Sequence, residues 1–225
     1  MARRFRSSSW LRDHGLLLVL LGIFVATLAA MVVTGAAVAS DEQVQHGGEP
    51  ISPLAYLATP DFAEATFENW ESEFLQMASY VLLTAYLFQR GSAESKDPDS
   101  EEPVDEDPRH ARVTAATPWP VRRGGMVLKL YEHSLLIFFS VLFLLSMALH
   151  AIGGAGAYNE EQLQHGGEPV SVLGYLGTSQ FWFESMQNWQ SEFLAVAAIV
   201  WASIWLRERG SPESKPVSAP HSQTG

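Results

Sequence analysis

No cysteine occurs in the 225 residues, which excludes disulfides, iron–sulfur clusters, thiolate metal sites and cysteine nucleophiles. Positive charge is almost as restricted. The 14 lysines and arginines all fall within 3–12, 90–129 or 207–215, so residues 13–89 and 130–206 contain none. Marks of catalysis are missing too. There is no Ser/His/Asp set, no phosphate-cradling glycine loop and no intramembrane metalloprotease motif, so an enzyme is the weakest reading. The formal charge of -11 argues against a nucleic-acid partner.

What is present is apolar sequence gathered into runs. Residues 15–39 carry no charge, and 134–159 hold only His150 as a group that titrates near neutral pH. Each exceeds the ~20 residues a helix needs to cross the hydrocarbon of a bilayer. Two shorter runs, 74–89 and 193–206, fit either a crossing or a buried core helix. The first run follows Arg3, Arg4 and Arg6 and ends in Ala37-Val38-Ala39, like a signal peptide. It is far longer than the ~7 to 15 residues of a signal core, and an uncleaved helix is expected.

The chain also repeats itself. A shift of 119 positions aligns Leu11–Lys96 with Leu130–Lys215 without a gap. Glu42–Leu57 matches Glu161–Leu176 at 12 of 16 positions, both containing Q-H-G-G-E-P. The expected fold is therefore all-α, with four transmembrane helices in two tandem two-helix repeats. An even number of crossings per unit makes the repeats parallel, related by a pseudo-two-fold along the membrane normal. The positive-inside bias then places both termini in the cytoplasm and both Q-H-G-G-E-P loops outside, and it requires the shorter runs to cross as well.

The expected organisation is a cytoplasmic segment 1–14, repeat 1 at 15–96 with an outer loop about 40–65, and repeat 2 at 121–215 with an outer loop about 158–183. Between the repeats, 97–120 holds seven acids punctuated by Pro98, Pro103 and Pro108, and it reads as a disordered linker. The tail 216–225 is also expected to be disordered. Ser52-Pro53 and Thr59-Pro60 are N-cap and first-turn signals for a short outer helix before the long one, with Ser171 and Thr178 in the matching places. Gly91 and Gly210 read as helix C-caps at the inner surface.

Three sets of residues are candidates for chemistry. Glu73 and Glu192, with Asn69 and Asn188 one turn away, are the carboxylates nearest the hydrocarbon and would bind a cation or relay protons. The plainer reading is an aromatic belt at Trp70 and Trp189 with the glutamates reaching to headgroups. In the outer loops, His46 with Glu49 and His165 with Glu168 would ligate a divalent metal, or else are solvated turn residues. His14, His133 and His150 admit a haem reading within a four-helix membrane bundle, against ordinary interfacial histidines at the first two.

The motifs Asn69-Trp-Glu-Ser-Glu-Phe-Leu75 and Arg90-Gly-Ser-Ala-Glu-Ser-Lys96, with counterparts at 188–194 and 209–215, resemble a family of bacterial integral membrane proteins classed as a domain of unknown function. That resemblance implies a multi-pass protein of the bacterial inner (plasma) membrane, and it supplies no catalytic residue, cofactor or ligand. Copy 2 has Gln187 and Ala195 where copy 1 has Glu68 and Gln76, so a role needing those side chains in both copies is disfavoured. The leading expectation is a non-enzymatic accessory or interaction protein of the bilayer, as a homo-oligomer or with a membrane-protein partner. The alternative is a small transporter or proton- or cation-conducting protein using Glu73 and Glu192.

Overall fold

Residues 6–225 are described by the computed structural model, with side chains from Trp10 onward. Among them every regular element is a helix and no strand occurs. The chain separates into two compact units, one ending at Ala63 and the other running from Glu64 to Gly225.

In the first unit, the helix α1 (Arg6–Gln45) is followed by a single-turn α2 (Pro53–Tyr56) and the first turn of α3 (Pro60–Tyr86). α1 contains no proline, so nothing interrupts its hydrogen-bond ladder. It stops where Gly47 takes φ +82°, a conformation that side chains beyond glycine resist. Ser52 Oγ accepts from the backbone N–H of Ala55, and Thr59 Oγ1 from that of Phe62, which starts α2 and α3 at the expected caps. Ala36, Ala39 and Tyr56 form the core, with Ile51 and Phe62 packed on it.

The second unit contains the rest of α3 and a 3-10 turn at Pro103–Asp105. Five helices follow: α4 (Trp119–Arg123), α5 (Gly125–Glu132), α6 (Ser134–Gln164), α7 (Val172–Tyr175) and α8 (Ser179–Ala202). α6, α7 and α8 reproduce the local build of the first unit 119 residues later. Ser171 Oγ caps Gly174 N, and Thr178 Oγ1 caps Phe181 N. Tyr175 meets Phe181 edge-on at 5.6 Å and 75°, as Tyr56 meets Phe62 at 5.7 Å and 73°. In each unit the tyrosine ring lies on a helical glycine, and a β-carbon at Gly35 or Gly154 would stand 2.5 or 2.6 Å from it. Only glycine permits that approach.

Two helices, Trp10–Gln45 and Ser134–Gln164, are long and apolar enough to cross a membrane. Their large side chains point outward: Leu16 is 77% exposed and Leu144 61%. A helix forming the core of a water-soluble protein would bury those leucines.

The loops hold more order than their composition suggests. The acidic segment holds one 3-10 turn, and Arg90 pairs with Asp99 at 2.5 Å and Lys96 with Asp105 at 2.5 Å. The tail differs from expectation, because it folds back. Gly91 N donates to Thr224 Oγ1 and Gly225 N to the Ser92 carbonyl. Lys215, 2% exposed, donates to the carbonyls of Gly91, His221 and Gln223. A buried ammonium needs acceptors on several sides, and the tail backbone supplies them. Gly91 and Gly210 have positive φ as C-caps do, but α3 and α8 end earlier, at Tyr86 and Ala202.

Candidate functional site

The site begins from small residues on α6. Ala151, Gly154 and Ala155 are buried along one helix face, against which the turn of α7 lays Tyr175. Tyr175 and Phe181 are fully buried, and Phe181 stacks on the imidazole of His150 at 4.8 Å and 29°. His150 is thereby fixed in plane. Its surroundings decide its chemistry.

Each ring nitrogen of His150 faces a carboxylate. Nδ1 lies 2.8 Å from Glu71 Oε2, on α3, and Nε2 lies 3.2 Å from Glu184 Oε2, on α8. His150 and Glu71 are both fully buried, and Glu184 is 8% exposed. Both carboxylates are oriented by further donors. Trp189 Nε1 donates to Glu71 Oε1 at 3.0 Å, and Gln180 Nε2 donates to Glu184 Oε1 at 2.6 Å. The Tyr175 hydroxyl contacts Glu184 Oε2 and, at 3.2 Å, Glu64 Oε1. A continuous path thus runs Trp189, Glu71, His150, Glu184, Tyr175, Glu64.

A neutral imidazole carries one N–H, yet both nitrogens face carboxylate oxygens. Satisfying both contacts takes one positive charge beyond the neutral ring and two carboxylates, supplied by a proton or by a cation in its place. No lysine or arginine lies anywhere in 130–206 or 13–89 to supply it. Glu68 adds a third carboxylate: one donor atom each from Glu68, His150 and Glu184 lie within 4.8 Å of one another. The hydroxyls of Thr66 and Ser185, on the same two helices as Glu68 and Glu184, are buried without a hydrogen-bond partner.

The residues singled out from sequence lie elsewhere, His150 excepted. Glu73 is exposed and Glu192 half-buried, the latter held at both its carboxylate and its carbonyl by Gln76 Nε2 at 2.9 Å. Asn69 and Asn188 donate to carbonyls one turn back on their own helices, Ala65 and Glu184. His46 and His165 are exposed, and each Nδ1 sits 2.8 to 2.9 Å from the carbonyl of Glu42 or Glu161 in the last turn of its own helix. Glu49 and Glu168 are exposed as well. His14 stacks on Trp10 and meets its carbonyl at 2.9 Å. His133 is exposed and lines a separate cavity of about 850 Å³ with Tyr80, Glu94, Lys96 and Glu132. A haem iron at His150 would have to displace one of its carboxylates, and the other histidines of that unit, His110, His133, His165 and His221, are all exposed.

Glu71, Glu184, Tyr175 and Trp189 were not singled out as a site, yet the repeat contains a signal for them. At the shift of 119, His150 stands where copy 1 has Met31, Glu184 where it has Ala65, and Glu71 where copy 2 has Gln190. The charged members of the site are thus the places where the copies disagree.

Among proteins with curated descriptions none matches this chain, and no solved structure matches it. A family model described as a domain of unknown function, DUF6766, matches residues 7–225. With nearly its whole length covered by that model, the chain belongs to the DUF6766 family.

Proposed function

We propose that this is a multi-pass membrane protein of four crossings, with both termini cytoplasmic, that handles a small cation through the Glu71–His150–Glu184 site. Crossing is supported by two long apolar helices with outward-facing leucines. The apolar stretches 74–89 and 193–206 provide the two return passages, which bring Arg90 and Arg207 back to the side of Arg12 and Lys129. Counting ~1.5 Å per residue from Ser134 puts His150 about 24 Å into a hydrocarbon layer about 30 Å thick, in its outer part. Glu71, 15 residues before the end of α3 at Tyr86, lies about 22 Å along that helix from that end by the same count.

The single observation that carries the functional reading is a fully buried histidine between two glutamates in a segment without lysine or arginine. Ionisable groups at membrane depth are costly and are retained at ion and proton sites. Unpaired negative charge in a dehydrated place draws a cation, and these side chains present oxygen and imidazole nitrogen to it. The cation-conducting alternative from sequence thus moves from Glu73 and Glu192 to Glu71 and Glu184.

The test is cation flux into proteoliposomes containing the full chain, under proton, sodium or divalent-ion gradients. Glu71→Gln or Glu184→Gln is expected to lower flux at least about tenfold. The Glu73→Gln, Glu192→Gln double variant is expected to leave it within about twofold. Flux that is absent in the wild type, or that follows the double variant instead, removes the proposal.

A further inference from the structure

Resting on that reading, we infer that the site is built for one divalent first-row metal ion per chain, ligated by His150 Nε2, Glu184 and Glu68. Glu71 is not a ligand here but the group that orients the histidine.

The geometry divides the roles. Ligating histidines characteristically donate their other ring N–H to a carboxylate, which fixes the tautomer and turns the free lone pair to the metal. Glu71 Oε2 stands 2.8 Å from Nδ1, and the carboxylate is anchored at its other oxygen, Oε1, by Trp189 Nε1 at 3.0 Å. That places the proton on Nδ1 and leaves Nε2 with a lone pair facing Glu184 Oε2 across 3.2 Å. Two donors each about 2.1 Å from an ion at a tetrahedral angle are about 3.4 Å apart, close to that separation. The third donor, from Glu68, falls within the same 4.8 Å group, near enough for a small side-chain movement to bring three protein ligands onto one ion with at least one coordination position left open. Gln180 holds the other oxygen of Glu184 at 2.6 Å, so Oε2, which also accepts from the Tyr175 hydroxyl, is the oxygen turned toward the ion.

One imidazole and two carboxylates with no sulfur suit zinc, manganese or ferrous iron. The stoichiometry follows from the divergence of the copies. Counterparts of His150, Glu184, Glu68 and Glu71 are Met31, Ala65, Gln187 and Gln190, none of which is ionisable. A chain with two copies of the helical unit is therefore expected to hold one ion, not two.

The experiment uses the full chain in nanodiscs, stripped with chelator and then dialysed against zinc or manganese, with bound metal measured by elemental analysis. One ion per chain is expected. Glu184→Gln and His150→Gln should abolish binding, and Glu71→Gln should weaken it about ten- to a hundredfold. The His46→Gln, His165→Gln double variant should bind as the wild type does. Near-ultraviolet circular dichroism of the packed aromatic side chains keeps a folding defect distinct from a ligand loss. No bound metal, two ions per chain, binding in folded Glu184→Gln protein equal to wild type, or loss in the outer-loop double variant would each overturn the inference. Flux of protons or sodium that depends on Glu184 without divalent binding would sink this inference and leave the cation reading standing. Neither flux nor binding would sink both.

Discussion

At the scale of single residues, the site depends on atoms that are absent as much as on those present. Gly154 lets the Tyr175 ring rest on the α6 backbone, and a β-carbon there would come within 2.6 Å of the ring. Gly154→Ala is accordingly expected to destabilise the protein by about 1–3 kcal/mol in thermal or denaturant unfolding in detergent. The tyrosine hydroxyl reaches Glu184 and Glu64, so displacing the ring disturbs the charged cluster too. Gly35→Ala meets the same kind of clash at Tyr56, a position whose counterparts to His150 and Glu184 are Met31 and Ala65. Both variants should melt earlier, but only Gly154→Ala should also weaken cation binding. Equal binding in the two would show that Tyr175 does not govern the position of Glu184.

At the scale of elements, α7 and the start of α8 set the angle at which Gln180, Phe181 and Glu184 approach α6. Thr178 begins α8 by accepting from Phe181 N at 3.3 Å. Removing such a cap costs about 1 kcal/mol, and Thr178→Ala should lower stability by about that amount, with Thr178→Ser close to wild type. A Thr178→Ala protein as stable as the wild type would mean that packing of Phe181 alone starts the helix. These elements were legible in advance: Ser52-Pro53, Thr59-Pro60, Ser171 and Thr178 announce their helices because capping is a matter of neighbouring residues. The tail was not legible. Its order comes from Lys215 reaching carbonyls at Gly91, His221 and Gln223, and composition does not record which carbonyls a folded chain brings near.

At the scale of the molecule, membrane topology is the property most open to test. Reporters fused before Met1 and after Gly225 should both register as cytoplasmic, and one inserted between Gly47 and Gly48 as external. Opposite sides for the two ends would require an odd number of crossings and end the four-span proposal. Sequence by itself determined the helical class, the 119-residue repeat, the confinement of basic charge and the two long apolar helices, because each is a one-dimensional pattern set by hydrophobic period or by composition. It marked His150 as the exception in an apolar run but gave it no partner. Tertiary structure alone decided that Glu71, 79 residues away, and Glu184, 34 residues away, meet its two nitrogens, while Glu73, two positions from Glu71, faces outward. The physical reason is the helical period: neighbours two apart lie on different faces, and which face is turned inward is settled by packing against other helices.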